Sequence, residues 1–433
     1  MKVQDAARKM KQLCPSLGAL TSEQKNKALL AIARKLEEKS EIIRTANEAD
    51  LNAAEAEGLD APLKARLKFQ GEKVGAAIMG LQALALLPDP VGKTLSAREL
   101  DSGLDLYQVT CPLGVIGMIF ESRPDALVQI ASLALKSGNA LILKGGKEAH
   151  HTNKALFDLI VQATAQAGIP EGWIFLVQSR DEVTQMLSLD KDIDLIIPRG
   201  SNEFVKYIMN HTHIPVMGHA EGITHCYIDR QADVEMGVRI VLDSKTQYVS
   251  VCNALETLLI HEDIAPYILQ PLKLALESRG VQLRGCDRTR KIISDINPAD
   301  ELDWETEYLD YILSIKIVKD LDEALDHISH FSSRHTETIV TENRTTALKF
   351  MDLVDSGNVF WNASTRFSDG FRYGLGAEGG VSTGKIHARG PVGLEGLVIY
   401  KYKLFGHGQV VSTYSGEGAK PFTHRTLDKD CPQ

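Results

Sequence analysis

Short runs of uninterrupted apolar residues, each followed by an amphipathic stretch, set the character of this chain. LGVIGMIF at 113–120, ALIL at 140–143, IFLV at 174–177 and IDLIIP at 193–198 alternate with helical patterns near 124–137, 148–168 and 201–209. Strands without a polar face are those that helices cover on both sides, so the pattern predicts βαβ units and a largely parallel sheet. A second series at 224–229 (THCYID), 256–261 (ETLLIH), 315–318 (IKIV), 337–341 (ETIVT) and 358–362 (NVFWN) has helical patterns near 264–279, 321–330 and 344–355. It predicts a second α/β unit. The first hundred residues read as helices, with Thr21 and Gln24 spaced as a capping box. Residues 99–112 alternate polar and apolar around a Ser-Gly turn, a hairpin outside the first sheet. VIYKYKLF near the end is a further alternating strand.

Charge narrows the partners. With 48 Lys+Arg against 57 Asp+Glu the 433-residue chain carries a net −9, which argues against nucleic acid or a membrane surface. No run approaches the roughly 18 apolar residues of a spanning helix, and the amino terminus lacks a secretory leader, so a cytoplasmic protein is expected. The six cysteines show no CxxC pair. Neither a disulfide framework nor a metal site is implied, and free thiols become candidate nucleophiles.

Several motifs invite a chemical reading. GLGAEGGVSTGK at 374–385 imitates both a dinucleotide fingerprint and a P-loop. No strand leads into it, and Ile386 stands where a P-loop needs Ser or Thr, so tight packing is the better reading. Lys144 and Lys147 flank Gly145-Gly146 at the end of a buried strand, where α/β proteins hold ligands, although a solvated loop has the same composition. Gly200-Ser201 ends another strand before a helix, with Ser201 placed as an N-cap. Cys252 sits in YVSVCNA just before an apolar run, positioned either as a small core residue or as an activated thiol. His219 and His225 read as structural histidines.

Longer blocks carry a resemblance. GVIGMIFESRPDALVQIASLALKSGNALILKGGKEA, IDLIIPRGS, PVMGHAEGITHCYID, SVCNALETLLIH, NVFWNASTRFSDGFRYGLGAE and STGKIHARGPVGLEGL resemble the γ-glutamyl phosphate reductase (glutamate-5-semialdehyde dehydrogenase) family, a branch of the aldehyde dehydrogenase superfamily. Val249, Thr224 and Gly379 depart from residues common in that family. The resemblance implies two Rossmann-like parallel-sheet domains plus a small oligomerisation element. Residues 1–98 and 113–228 would bind NADPH, 229–385 would form the catalytic domain, and 99–112 with 386–433 would make the subunit contact of a homo-oligomer.

The implied reaction is NADPH-dependent reduction of L-glutamyl 5-phosphate to the semialdehyde, the second step of proline biosynthesis, with glutamate 5-kinase as a candidate partner. Cys252 matches the nucleophile, and Ser122 in the loop before helix 124–137 is a candidate oxyanion donor. Lys144, Lys147, Gly200, Ser201 and Glu307 match cofactor contacts. Lys147 replaces a Glu of NAD-using relatives, and a cation suits a 2′-phosphate. Arg123, Asn362, Ser364 and Arg366 are expected at the substrate, with Thr365, Arg372 and Arg389 nearby in the same blocks. Val216-Met217-Gly218-His219-Ala220 lacks the carboxylate that activates water in the wider superfamily. That absence favours reduction over hydrolysis of a thioester. Rival readings are an ordinary aldehyde dehydrogenase, a P-loop hydrolase and a noncatalytic scaffold for the kinase.

Overall fold

The computed structural model describes residues 2–59, 61–121, 123–219, 221–376 and 379–432. Helices Val3–Gly18, Ser22–Glu38, Ser40–Ala56, Ala61–Leu67 and Glu72–Leu86 form the amino-terminal part. The Thr21 hydroxyl accepts from the Gln24 N–H (3.2 Å) and the Gln24 amide oxygen accepts from the Thr21 N–H (2.8 Å), the reciprocal cap that the spacing predicts. Helical character stops earlier than expected, because Thr94–Asp101 is already a strand.

Two parallel sheets form the body. The smaller runs in the order Ile174–Val177, Ala140–Lys144, Val115–Phe120, Leu195–Arg199. Val115–Phe120 is buried at every position, as a strand covered on both faces must be. The larger has seven strands in the order Asn297–Pro298, Gln282–Gly285, Ile312–Val318, Leu255–His261, Thr224–Ile228, Thr336–Val340, Asn358–Trp361. One core joins the amino-terminal helices to the smaller sheet, and two further clusters cover the faces of the larger one.

Arg180–Leu187, between the last two strands of the smaller sheet, escaped the strand-led sequence reading. Its signal was present: Ser179 and Glu182 form a capping box. The strand Gln282–Gly285 was also missed, since four residues of mixed polarity carry no period.

The hairpin pairs Thr94–Asp101 with Leu104–Pro112, and Val398–Phe405 adds antiparallel to Leu104–Pro112 over its whole length. Arg425–Thr426 closes the other edge. This antiparallel sheet starts at Thr94, so it crosses the division drawn at residue 98. The ribbon of Gly380–Ser382 with Gly390–Val392 likewise straddles the division drawn at 385. Among the described residues no helix is long and apolar enough to cross a membrane.

Candidate active site

Strand order brings the chemistry together. Thr224–Ile228 lies between Leu255–His261 and Thr336–Val340, all parallel, so the segments that enter these three strands are neighbours at one edge. Those segments carry His219 and Gly222, Cys252, and His335.

The Cys252 turn is held from several directions. Its carbonyl accepts from the Thr224 hydroxyl (3.1 Å), and the Val251 carbonyl accepts from the Ala254 N–H (3.0 Å). The Asn253 carbonyl accepts from the buried Thr365 hydroxyl (2.7 Å), while the Asn253 side chain donates to the Ser368 carbonyl (2.7 Å). Gly222 packs so closely that a Cβ there would stand 2.6 Å from the Cys252 Cβ and collide with its backbone. Only glycine fits without displacing the Cys252 turn.

Arg366 is 8% exposed and donates through Nε to the Gln247 amide (2.9 Å). Burial pushes its guanidinium down from its ordinary value, Arg372 adds repulsion, and the nearby charge of Cys252 pulls the other way. A buried cation therefore stands in the field of the thiol, suited to an anionic group delivered there. Below the turn, Lys245 and Glu256 form a fully buried ion pair (2.7 Å), and Glu256 also accepts from the Leu309 N–H (3.2 Å). Burial drives the Glu256 carboxyl up, against the pull of Lys245, to about 7. Sequence reading missed this pair and His335; a glutamate inside the apolar run LETLLIH was the local hint.

Other expected substrate groups are occupied by the fold. Asn362 adopts a left-handed conformation (φ 54°), accepts from the Thr341 N–H (2.9 Å) and donates to the Thr341 carbonyl (3.0 Å). Its amide holds a turn. Ser364 accepts from the Arg366 N–H (3.3 Å) and meets the Ser244 hydroxyl (3.2 Å), so it caps the short helix that carries Arg366. Arg123 donates to Asp125 (3.1 Å) at the head of its own helix. Arg372 pairs with Asp369 (3.4 Å) and Arg389 with Asp355 (2.8 Å), which Lys385 also joins. Ser122 lies outside the described residues.

The cofactor candidates line the carboxyl ends of the smaller sheet. Lys144 ends its strand with its ammonium on the Gly145 carbonyl, and Lys147 faces Glu57 (3.4 Å) from an exposed position. Ser201 caps Asn202–Asn210 through Oγ, and its N–H donates to the Glu121 carboxylate (3.2 Å). A Cβ at Gly200 would stand 2.7 Å from that carboxylate. Both turns thus already offer donors to an internal anion, the arrangement that a dinucleotide phosphate needs. Glu307 accepts from Asn202 (2.7 Å), joining the loop of the larger sheet to this turn, and burial raises its carboxyl above the ordinary range.

Residues 1–287 match the model of the aldehyde dehydrogenase family. The chain is 58% identical, over the full length of both, to a gamma-glutamyl phosphate reductase of Acetivibrio thermocellus. The crystal structure of gamma-glutamyl phosphate reductase from Thermotoga maritima, 39% identical, superimposes with a TM-score of 0.93 over 95% of this chain and all of that one. An engineered glycolyl-CoA reductase with bound NADP+, 15% identical, shares the fold at a TM-score of 0.63 over 93% of this chain and 96% of that one.

Proposed function

The chain belongs to the γ-glutamyl phosphate reductase family of aldehyde dehydrogenases, and from that premise we propose that it reduces L-glutamyl 5-phosphate to glutamate 5-semialdehyde through a Cys252 thioester, with NADPH, in proline biosynthesis. The observation that carries this reading is the buried Arg366 guanidinium in the field of Cys252. An acyl phosphate brings its charge to such a cation and its carbonyl to the thiol.

Cys252 Sγ attacks the acyl carbon, the bond to the phosphate oxygen breaks, and phosphate leaves with the electron pair. Arg366 offsets the charge of the anion during that step. The Cys252 N–H would donate to the developing oxyanion. When bound, reduced nicotinamide supplies the hydride that converts the thioester carbonyl to a thiohemiacetal. Collapse then breaks the C–S bond, frees the aldehyde and returns the thiolate. Lys144, Gly200, Ser201 and Glu307 would hold the cofactor, and Lys147 would pair its 2′-phosphate on release from Glu57. Because 216–219 offers no carboxylate, water gains no base against the thioester. The exposed face of Val398–Phe405, with Tyr402 and Leu404 outward, supports its assignment to a homo-oligomer contact.

The test runs the reaction backwards. Semialdehyde and NADP+ should turn over only with phosphate or arsenate, and Cys252→Ala should lose about 10⁵-fold or more. Oxidation without phosphate would make the protein an ordinary aldehyde dehydrogenase.

A further inference from the structure

We propose that the Cys252 pocket is also a binding site for one Zn²⁺ ion, held by Cys252 Sγ and one ring nitrogen each of His219 and His335, and that its occupancy silences the thiol. The silencing rests on the reading of Cys252 given above; the binding does not.

One ligand atom from each of the three residues lies within 4.8 Å of the others. Zinc bonds of about 2.0–2.3 Å require ligand atoms roughly 3.3–3.8 Å apart, so closure asks for a shift of about 1 Å. The two imidazoles already stand edge to face, 4.8 Å between centroids and 67° between planes. His219 Nδ1 lies 2.9 Å from the Val381 carbonyl, and His335 Nδ1 lies 2.8 Å from the Thr336 hydroxyl. Contacts of one ring nitrogen to an oxygen orient metal-binding histidines in the same way.

His335 supplies the independent sign. Its ring is fully buried, yet among the described residues Nε2 has no hydrogen-bond partner. Buried polar atoms are rarely left so, and this one calls for a ligand. The three residues lead into adjacent parallel strands, so the set is braced by the sheet.

Thiolate with imidazole selects Zn²⁺ over Mg²⁺ or Ca²⁺, which prefer oxygen. Nearby charges divide: Glu307, within electrostatic reach of His219, favours a cation, and Arg366, facing Cys252, opposes it. Binding forms one Zn–S and two Zn–N bonds, releases the Cys252 thiol proton to solvent and changes no oxidation state. Water fills the fourth position, and the sulfur lone pair that would attack an acyl carbon is withdrawn.

Co²⁺ makes the site visible. Titrating chelator-free, full-length protein with Co²⁺ should yield, at one equivalent, a thiolate-to-cobalt charge-transfer band that Zn²⁺ displaces. Zn²⁺ should also protect Cys252 from iodoacetamide, with EDTA restoring alkylation. His335→Gln and His219→Gln, each checked for cooperative melting, should weaken binding by at least about 10–100-fold. No charge-transfer band, a band that survives Cys252→Ser, or unchanged affinity in both histidine variants would overturn the proposal. Because the band is read without turnover, its presence alongside phosphate-independent oxidation would sink the reductase reading and leave the metal site standing.

Discussion

The two parallel sheets turn opposite ends toward the site. The smaller offers its carboxyl ends: Lys144 closes Ala140–Lys144, and Gly200 follows Leu195–Arg199, the usual place for a ligand in an α/β fold. The larger offers its amino ends, where Gly222, Cys252 and His335 precede their strands. Their construction differs as well. Lys147 and Ser201 are exposed and paired with carboxylates that a ligand can displace, whereas the Cys252 turn is tied by buried hydrogen bonds from residues more than a hundred positions away. On the proposed reaction, a rim that must release its ligand each turnover is built loosely, and a nucleophile that must meet one carbon is built tightly.

That contrast can be broken at its tight side first. Gly222→Ala drives a methyl group into the Cys252 backbone, and a displacement of even 1 Å should lower kcat by about 100-fold while the melting transition stays cooperative. An unaffected kcat would mean that the turn is not positioned by this contact.

Next comes the loose side. Lys147→Glu sets two carboxylates, Glu57 and the new one, against a 2′-phosphate, and should shift kcat/KM at least about 10-fold toward NADH while barely changing kcat with NADH. Equal loss with both cofactors would show that Lys147 supports the fold instead.

The smallest effect lies outside both. Lys420 and then Tyr414 hold the Asp101 carboxyl down from 3.8 to about 2. A depressed carboxylate contributes above its ordinary value and loses that contribution as pH falls through the lower one, so the tail should loosen between about pH 4 and pH 2. Asp101→Asn should speed proteolytic clipping of residues 410–432 at neutral pH with little change in turnover. An equally resistant tail would show that its strand pairing alone retains it.

How much of this was legible differs between the same two regions. Strands such as Val115–Phe120 and Ala140–Lys144 announce themselves, because burial on both faces demands long apolar runs. Ser201 was readable as a cap from its neighbours alone. The tight region was not readable in that way. Asn362 and Ser364 lie in the same block as Arg366, yet their side chains are consumed by Thr341 and by a cap. His335 acquires meaning only when strand order brings its segment beside the other two, and the Lys245–Glu256 pair only when helix Val234–Thr246 packs on the strand that follows it, which no local pattern encodes.

The hydrogen bond from Thr365 to the Asn253 carbonyl closes a loop of 112 residues, and this has a consequence during synthesis. At about 5–20 residues per second, roughly 6–20 s separate the birth of Cys252 from that of the residue that braces it. Through that interval the emerging chain lacks the brace on its Cys252 turn. The turn takes its final form only once nearly the whole polypeptide has been made, so an unfinished chain cannot present Cys252 to a substrate in its folded geometry.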